Sequence, residues 1–168
     1  MSWLHADLTK PVLAPLQSTP ATRSAAQLRA VVAQFDVRAQ RYLRRDVTGD
    51  GRPETFCNFF ARDISRAMHA PLPEGLRANQ MFDWLENAGR AEGWEEVDEH
   101  PAQRAADEGL FVVAAWKNPS GGPGHITPLL PSEGQPGTWV ANVGAANFAR
   151  GALARAFGAL KPSFFVHP

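Results

Sequence analysis

The sequence predicts an α+β fold. Apolar residues recur at helical spacing from residue 24 to about residue 109, and in strand-length runs after that. Two of the later runs are separated by the turn-rich "PSEGQPG", which reads as an antiparallel meander. Helices first and strands second is the order of an α+β domain rather than of a βαβ sheet. A chain of 168 residues is about one domain's worth.

Each element has its own signal. Residues 1–23 hold three prolines and several Ser/Thr, and read as an N-terminal arm, either lying on the domain or partly disordered. Residues 24–168 are the single folded domain. Ser24 as N-cap with Gln27 at the third helical position makes a capping box for "SAAQLRAVVAQFDVRAQRYL". Leu28, Val31, Val32 and Phe35 form its apolar face. In "TFCNFFARDISRAMHA", Cys57, Phe60, Ile64 and Met68 share one stripe, and "PLPEG" ends the helix. "LRANQMFDWLENAGRAEG" is a third helix, with Met81, Phe82, Leu85 and Ala88 inward and Gly93 at its stop. "HPAQRAADEG" is a short fourth. "LFVVAAWKN", "GHITPLL", "TWVANVG" and the terminal "PSFFVHP" are the strands.

Composition narrows the function. Seventeen basic side chains balance seventeen acidic ones, so no net charge draws the chain to nucleic acid or to a membrane surface. The single cysteine allows neither an internal disulfide nor a multi-cysteine zinc site. No window approaches the ~20 apolar residues of a membrane span. The first residues lack the charged start and apolar core of a secretory signal. The expectation is a protein made in the cytoplasm that needs another route if it acts elsewhere.

Cys57 lies in the first turn of its helix, with Thr55 as the expected N-cap. Unpaired N–H groups and the macrodipole at a helix start stabilise a thiolate, the reactive form of cysteine. The plain alternative is a small buried core residue, since Cys57 is on the apolar stripe. A nucleophile needs a base. His5 lies in the arm, His69 ends the cysteine's own helix, His100 precedes Pro101 in a turn, and His167 is next to last. His125 follows the glycine-rich loop "NPSGGPG" and opens a strand, where its side chain is able to project into a cleft. The alternative for His125 is a solvent-exposed loop histidine. A histidine base needs a third group to hold its ring. If "GHITPLL" and "TWVANVG" pair around "PSEGQPG" with residues 131 and 136 opposite, residues 125 and 142 also come opposite. Asn142 is therefore the natural orienting residue and Asn147 the reserve. Each has a purely structural asparagine as its alternative.

"DVTGDGRPE" places oxygen-bearing side chains at Asp46, Thr48, Asp50 and Glu54, with Gly51 at the sixth position. That spacing is close to a calcium loop, but its twelfth position is Cys57 rather than glutamate. The loop is either a structural calcium site or a metal-free Asp/Gly turn that leads into the cysteine helix.

These residues together resemble the papain-like peptidoglycan hydrolases, the NlpC-type and CHAP families. The shared features are the helix-borne "TFCNFF", then "VVAAW", then "GHI" opening a strand, then a strand with a polar residue. "RANQMFDWL", "WKNPSGGPGHI", "GAANF" and "FFVH" resemble one CHAP-like branch that includes phage lysins and toxins delivered into competing bacteria. The likeness covers about residues 35–168.

The resemblance implies a papain-like fold with N-terminal helices packed on a small antiparallel sheet. It implies a Cys57 nucleophile, a His125 base and a polar third residue, mapped to Asn142. It also implies cleavage of a peptidoglycan amide, within the stem peptide or between sugar and stem. No cofactor is required on this reading. Some relatives carry calcium just before their cysteine, as the Asp46 loop suggests. In NlpC-type enzymes a tyrosine upstream of the cysteine borders the site. Tyr42 therefore either lines the cleft, helping an oxyanion site with the Cys57 N–H, or packs at a helix end. Trp116 and Trp139 either wall the cleft or belong to the core.

The expected partner is peptidoglycan, with no nucleic acid and no membrane insertion. An effector of this kind, released by phage lysis or by a type VI secretion system, acts in the periplasm or cell wall and pairs with an immunity protein or a secretion component. Two rivals remain. One is acyl transfer on the same fold. The other is a non-catalytic module in which the aspartate loop binds calcium and the arm or tryptophans bind a partner.

Overall fold

The computed structural model describes residues 12–168. His5 and the first part of the expected arm lie outside the described residues. The helices are α1 (Ala25–Ala33), α2 (Cys57–Ala67), α3 (Ala78–Glu86), α4 (Glu99–Asp107) and α5 (Leu153–Phe157). The strands are β1 (Glu95–Val97), β2 (Phe111–Trp116), β3 (His125–Leu130), β4 (Trp139–Asn142), β5 (Phe148–Ala152) and β6 (Ser163–His167). Helices and one six-stranded antiparallel sheet make the fold α+β. The strand order is β1-β6-β2-β3-β4-β5, so the expected meander is β2, β3 and β4, β5 extends it, and β6 returns to lie beside β2.

Several local expectations change. Ser24 caps α1 by accepting the Gln27 N–H at 3.0 Å. The reciprocal half of the box is not made, because the Gln27 amide donates to the Gln17 carbonyl at 2.6 Å. α1 stops at Ala33 instead of running on toward Leu43. There the Asp36 carboxylate accepts the Arg38 N–H at 2.9 Å, and a local Asx turn competes with the helix. The third helix also ends early, at Glu86, and continues as a 3-10 turn over Ala88–Glu92. Gly93 closes that turn with a left-handed φ of 97°.

Residues 16–23 lie against the domain. The Ser18 N–H donates to the Ala67 carbonyl at 2.8 Å, and Arg23 donates to the carbonyls of Met68 and Pro168 at 2.7 and 3.0 Å. The core is built where the apolar stripes of α1, α2 and α3 meet the sheet. Leu28, Phe60, Ile64, Phe111, Ile126, Leu129 and Phe165 are fully buried there. Helix α2 packs chiefly on β3, and this one contact brings the start of the cysteine helix to the start of the histidine strand. Among the described residues, no helix is long and apolar enough to cross a membrane.

Candidate active site

Cys57 is the first residue of α2 and is 5% exposed. The cap is not Thr55. Phe56 occupies the N-cap position and makes no side-chain cap bond, so the first N–H groups of α2 have no competing acceptor from the cap. Burial pushes the Cys57 thiol above its ordinary pKa. The backbone N–H groups of Ile126, Asn58 and Cys57 itself pull the other way. The Ile126 N–H belongs to the residue after His125, so the sulfur lies against the beginning of β3.

His125 opens β3 and is half-buried. Its Nε2 is 2.7 Å from the Asn142 Oδ1. The Asn142 Nδ2 donates to the Ala146 carbonyl at 2.7 Å, which orients the amide with its oxygen toward the ring. The amide oxygen must therefore accept from the ring. That puts the proton on Nε2 and leaves Nδ1 as the basic nitrogen. The Phe157 ring meets the imidazole edge-on at 5.0 Å and supplies an apolar wall. Gly144 closes the other approach: a Cβ there would come within 3.1 Å of the His125 Cε1.

Asn142 reaches the ring by a different register from the one expected. β3 and β4 pair Leu129 with Val140 and Leu130 with Trp139, which shifts the hairpin by two residues and lengthens its loop. A two-residue shift keeps every side chain on its original face. Asn142 therefore still faces the side of His125, diagonally rather than directly. A bulge between Val140 and Asn142 in the β4–β5 pairing re-aims it.

Asn147 does not touch the histidine. Its Oδ1 accepts the Gly144 N–H at 2.9 Å, and its Nδ2 donates to the carbonyls of Val37 and Tyr42 at 2.8 and 3.0 Å. It pins the turn under the imidazole to the segment before the aspartate loop.

Of the two positions expected for Tyr42, the structure has the packed one. It is 2% exposed, and its hydroxyl donates to the Asp63 Oδ2 at 2.6 Å. Asp63 is six residues down α2 from Cys57, about 9 Å along the axis. The phenol is committed to that carboxylate and is not available to an oxyanion at the cysteine. The tryptophans are also structural. Trp139 donates to the Pro136 carbonyl at 3.2 Å and stacks under Arg150, while Trp116 packs against the core. Of the other histidines, His69 pairs with Gln17, His167 with the Glu92 carbonyl, and His100 is exposed at the start of α4.

The aspartate loop is closed at its mouth by paired backbone bonds between Arg45 and Glu54, at 3.2 and 2.8 Å. Inside, both Asp46 oxygens are engaged, by the N–H groups of Gly49 and Gly51 at 2.6 and 2.7 Å. The Gly51 N–H is the larger cause holding the Asp46 carboxyl below its usual range. Glu54 accepts the Val47 N–H at 2.8 Å, and Asp50 accepts the Arg52 N–H at 2.8 Å. N–H groups thus supply the neutralisation that facing carboxylates would otherwise require from a cation. No group of three His, Cys, Asp or Glu side chains among the described residues is arranged to hold a metal ion. As folded, the carboxylates of Asp46, Asp50 and Glu54 are held by backbone N–H groups, the arrangement of the metal-free turn rather than of a preformed calcium loop. Added calcium should leave the melting temperature and activity unchanged, whereas Asp46→Ala should lower the melting temperature. A calcium-dependent rise in melting temperature would show that the loop rearranges around the ion.

Cys57 and His125 are both shifted toward their neutral forms. Burial lowers the His125 pKa from its ordinary 6.5, against the opposing pull of Asn142. At neutral pH these shifts favour the thiol of Cys57 and the neutral imidazole of His125. The acid limb of activity should then have its midpoint below pH 6.5, because the neutral base persists to lower pH. The same shift makes stability fall as pH drops through 6.5, since the unfolded chain takes up the proton first. A pH–rate profile and thermal melts across that range check both, and a midpoint above 6.5 would contradict the burial of His125.

No protein-family model matches this chain, and no curated protein matches it in sequence. What fold and site define is an α+β domain in which a helix-borne cysteine faces the start of a strand carrying an asparagine-held histidine.

Proposed function

We propose that this protein is a papain-like cysteine hydrolase that cleaves an amide bond in peptidoglycan, as a stem-peptide endopeptidase or an N-acetylmuramoyl-L-alanine amidase. The observation that carries the chemistry is the 2.7 Å bond from the His125 Nε2 to Asn142, which leaves a basic Nδ1 on a strand packed against the start of the Cys57 helix. The substrate class is supported by the likeness of "TFCNFF", "WKNPSGGPGHI" and "GAANF" to the CHAP-like hydrolases.

His125 Nδ1 takes the Cys57 proton. The thiolate adds to the amide carbonyl, and the tetrahedral oxyanion is met by N–H groups at the start of α2. The C–N bond breaks as His125 returns the proton to the leaving amine. A thioester remains on Cys57. His125 then removes a proton from water, which attacks the thioester and releases a carboxylic acid and the free thiol. Asn142 holds the imidazolium in line throughout.

The direct test is digestion of purified cell wall followed by mass spectrometry of the fragments. Each cut should add one water and reveal one new amine and one new carboxyl. Their position separates the endopeptidase from the amidase. Fragments joined to an added amine instead of water would establish acyl transfer. Intact muropeptides after prolonged incubation would sink the reading. Action on peptidoglycan also places the protein beyond the inner membrane, as a lysin or a delivered antibacterial effector. Expression with an added periplasmic signal should be toxic, and toxicity confined to the cytoplasmic form would count against the cell wall as target.

A further inference from the structure

We infer that Asn79, on α3, is the positioning residue that sets where His125 stands; this rests on the base role proposed for His125. The β2–β3 connection, residues 117–124, leads directly into His125 and contains Pro119, Gly121, Gly122, Pro123 and Gly124. A loop of that composition has little side-chain packing to hold it. Asn79 grips it from both sides. Its Oδ1 accepts the Asn118 N–H at 3.0 Å, and its Nδ2 donates to the Gly122 carbonyl at 2.9 Å.

Gly124, immediately before the histidine, is pressed against the same amide. A Cβ at Gly124 would lie 2.2 Å from the Asn79 Oδ1 and 2.7 Å from the Trp116 carbonyl oxygen. The last loop residue is therefore trapped between Asn79 and β2, where Trp116 pairs with His125. One turn further along α3, Asp83 holds Lys117 at 2.6 Å, but both side chains are about half exposed and that pair adds little. Strand register alone leaves the end of β3 able to fray. The Asn79 clamp removes that freedom at the one residue whose ring must meet both Asn142 and Cys57.

The test reads Cys57 alkylation by iodoacetamide against pH, together with muropeptide hydrolysis, in Asn79→Ala, Asn79→Asp and the control Asp83→Ala. Asn79→Ala should lower both rates about 10–100-fold, the size expected for a shift of ~1 Å in a reacting group. It should also move the acid-limb midpoint up toward 6.5, as water reaches the imidazole. Asn79→Asp keeps the acceptor for Asn118 but loses the donor to Gly122, so it should fall between. Asp83→Ala should match wild type. A clamp with a merely structural role would lower the melting temperature and leave the acid limb in place. That result, or wild-type alkylation by Asn79→Ala, would overturn the inference. If Asn79→Ala does not fold, Asn79→Asp is judged by the same criterion. Because alkylation needs no substrate, a wild-type protein that leaves muropeptides intact would sink the hydrolase reading while the pH profile still judges Asn79.

Discussion

Cys57→Ala and His125→Ala should each abolish hydrolysis of muropeptides, a loss of about 10⁴-fold or more. A nucleophile and its base act as one unit, so removing either removes nearly all of the chemistry. Both variants should stay folded. Cys57 is a small side chain at the start of α2, and its replacement by alanine removes one sulfur atom from the edge of the core. His125→Ala costs more stability, about 1–3 kcal/mol, because the buried Asn142 oxygen loses its donor. Asn142→Ala should cost less activity than either, since Phe157 and the lack of space at Gly144 still confine the ring. Wild-type turnover by either folded alanine variant of the pair would rule out the mechanism. The melting curves separate lost chemistry from lost fold.

The placement of the residues proposed to carry chemistry was the most legible part of this sequence. A lone cysteine at a helix start and a histidine opening a strand are each defined by local pattern, and the packing of α2 on β3 brings them together. Asn142 was legible for a more particular reason. The hairpin register is two residues away from the expected one, yet residue parity survives such a shift, so the amide still reaches the ring.

What could not be read locally was made by tertiary contact. "EEV" and "FARGA" lack the alternation of a half-buried strand and become β1 and β5 only by pairing with β6 and β4. Asp63 lies in "ARDISRA", between two arginines, and a run of charges of that kind ordinarily marks a solvated helix face. It is buried because the 3-10 turn of Gln40–Tyr42 lies over it, a relation that no spacing within α2 reveals. Which of the two positions expected for Tyr42 is taken, the packed one, has the same origin. Distance in sequence from Cys57 said nothing of a buried carboxylate that would claim its hydroxyl.

Asp63→Ala should be the most destabilising single substitution outside the apolar core, about 3–5 kcal/mol, because it breaks a buried ion pair from one side. The Asp63 side chain is 1% exposed. It accepts the Arg41 Nε at 2.8 Å, the Arg41 Nη2 at 3.1 Å and the Tyr42 hydroxyl at 2.6 Å. Arg62 and Arg66 each stand 3.9 Å away. Taking out the carboxylate removes the negative charge between the buried guanidinium groups of Arg41 and Arg62 and leaves a buried phenol without its acceptor, while Arg66 keeps its pair with Glu74. For a chain of 168 residues the loss should appear as a fall in melting temperature of about 6–20 °C. Asp63→Asn keeps the shape and one acceptor but not the charge, and should fall between. Tyr42→Phe removes one hydrogen bond to a charged group and should cost about 1.5–3 kcal/mol. The effect should also reach the site, because the Tyr42 carbonyl is held by Asn147, and Asn147 holds the Gly144 N–H under the His125 ring. Asp63→Asn, at temperatures where it remains folded, should therefore slow Cys57 alkylation at neutral pH. A melting temperature within about 2 °C of wild type for Asp63→Ala would mean that water replaces the carboxylate at little cost. The turn beneath His125 would then rest on Asn147 and Val37 alone.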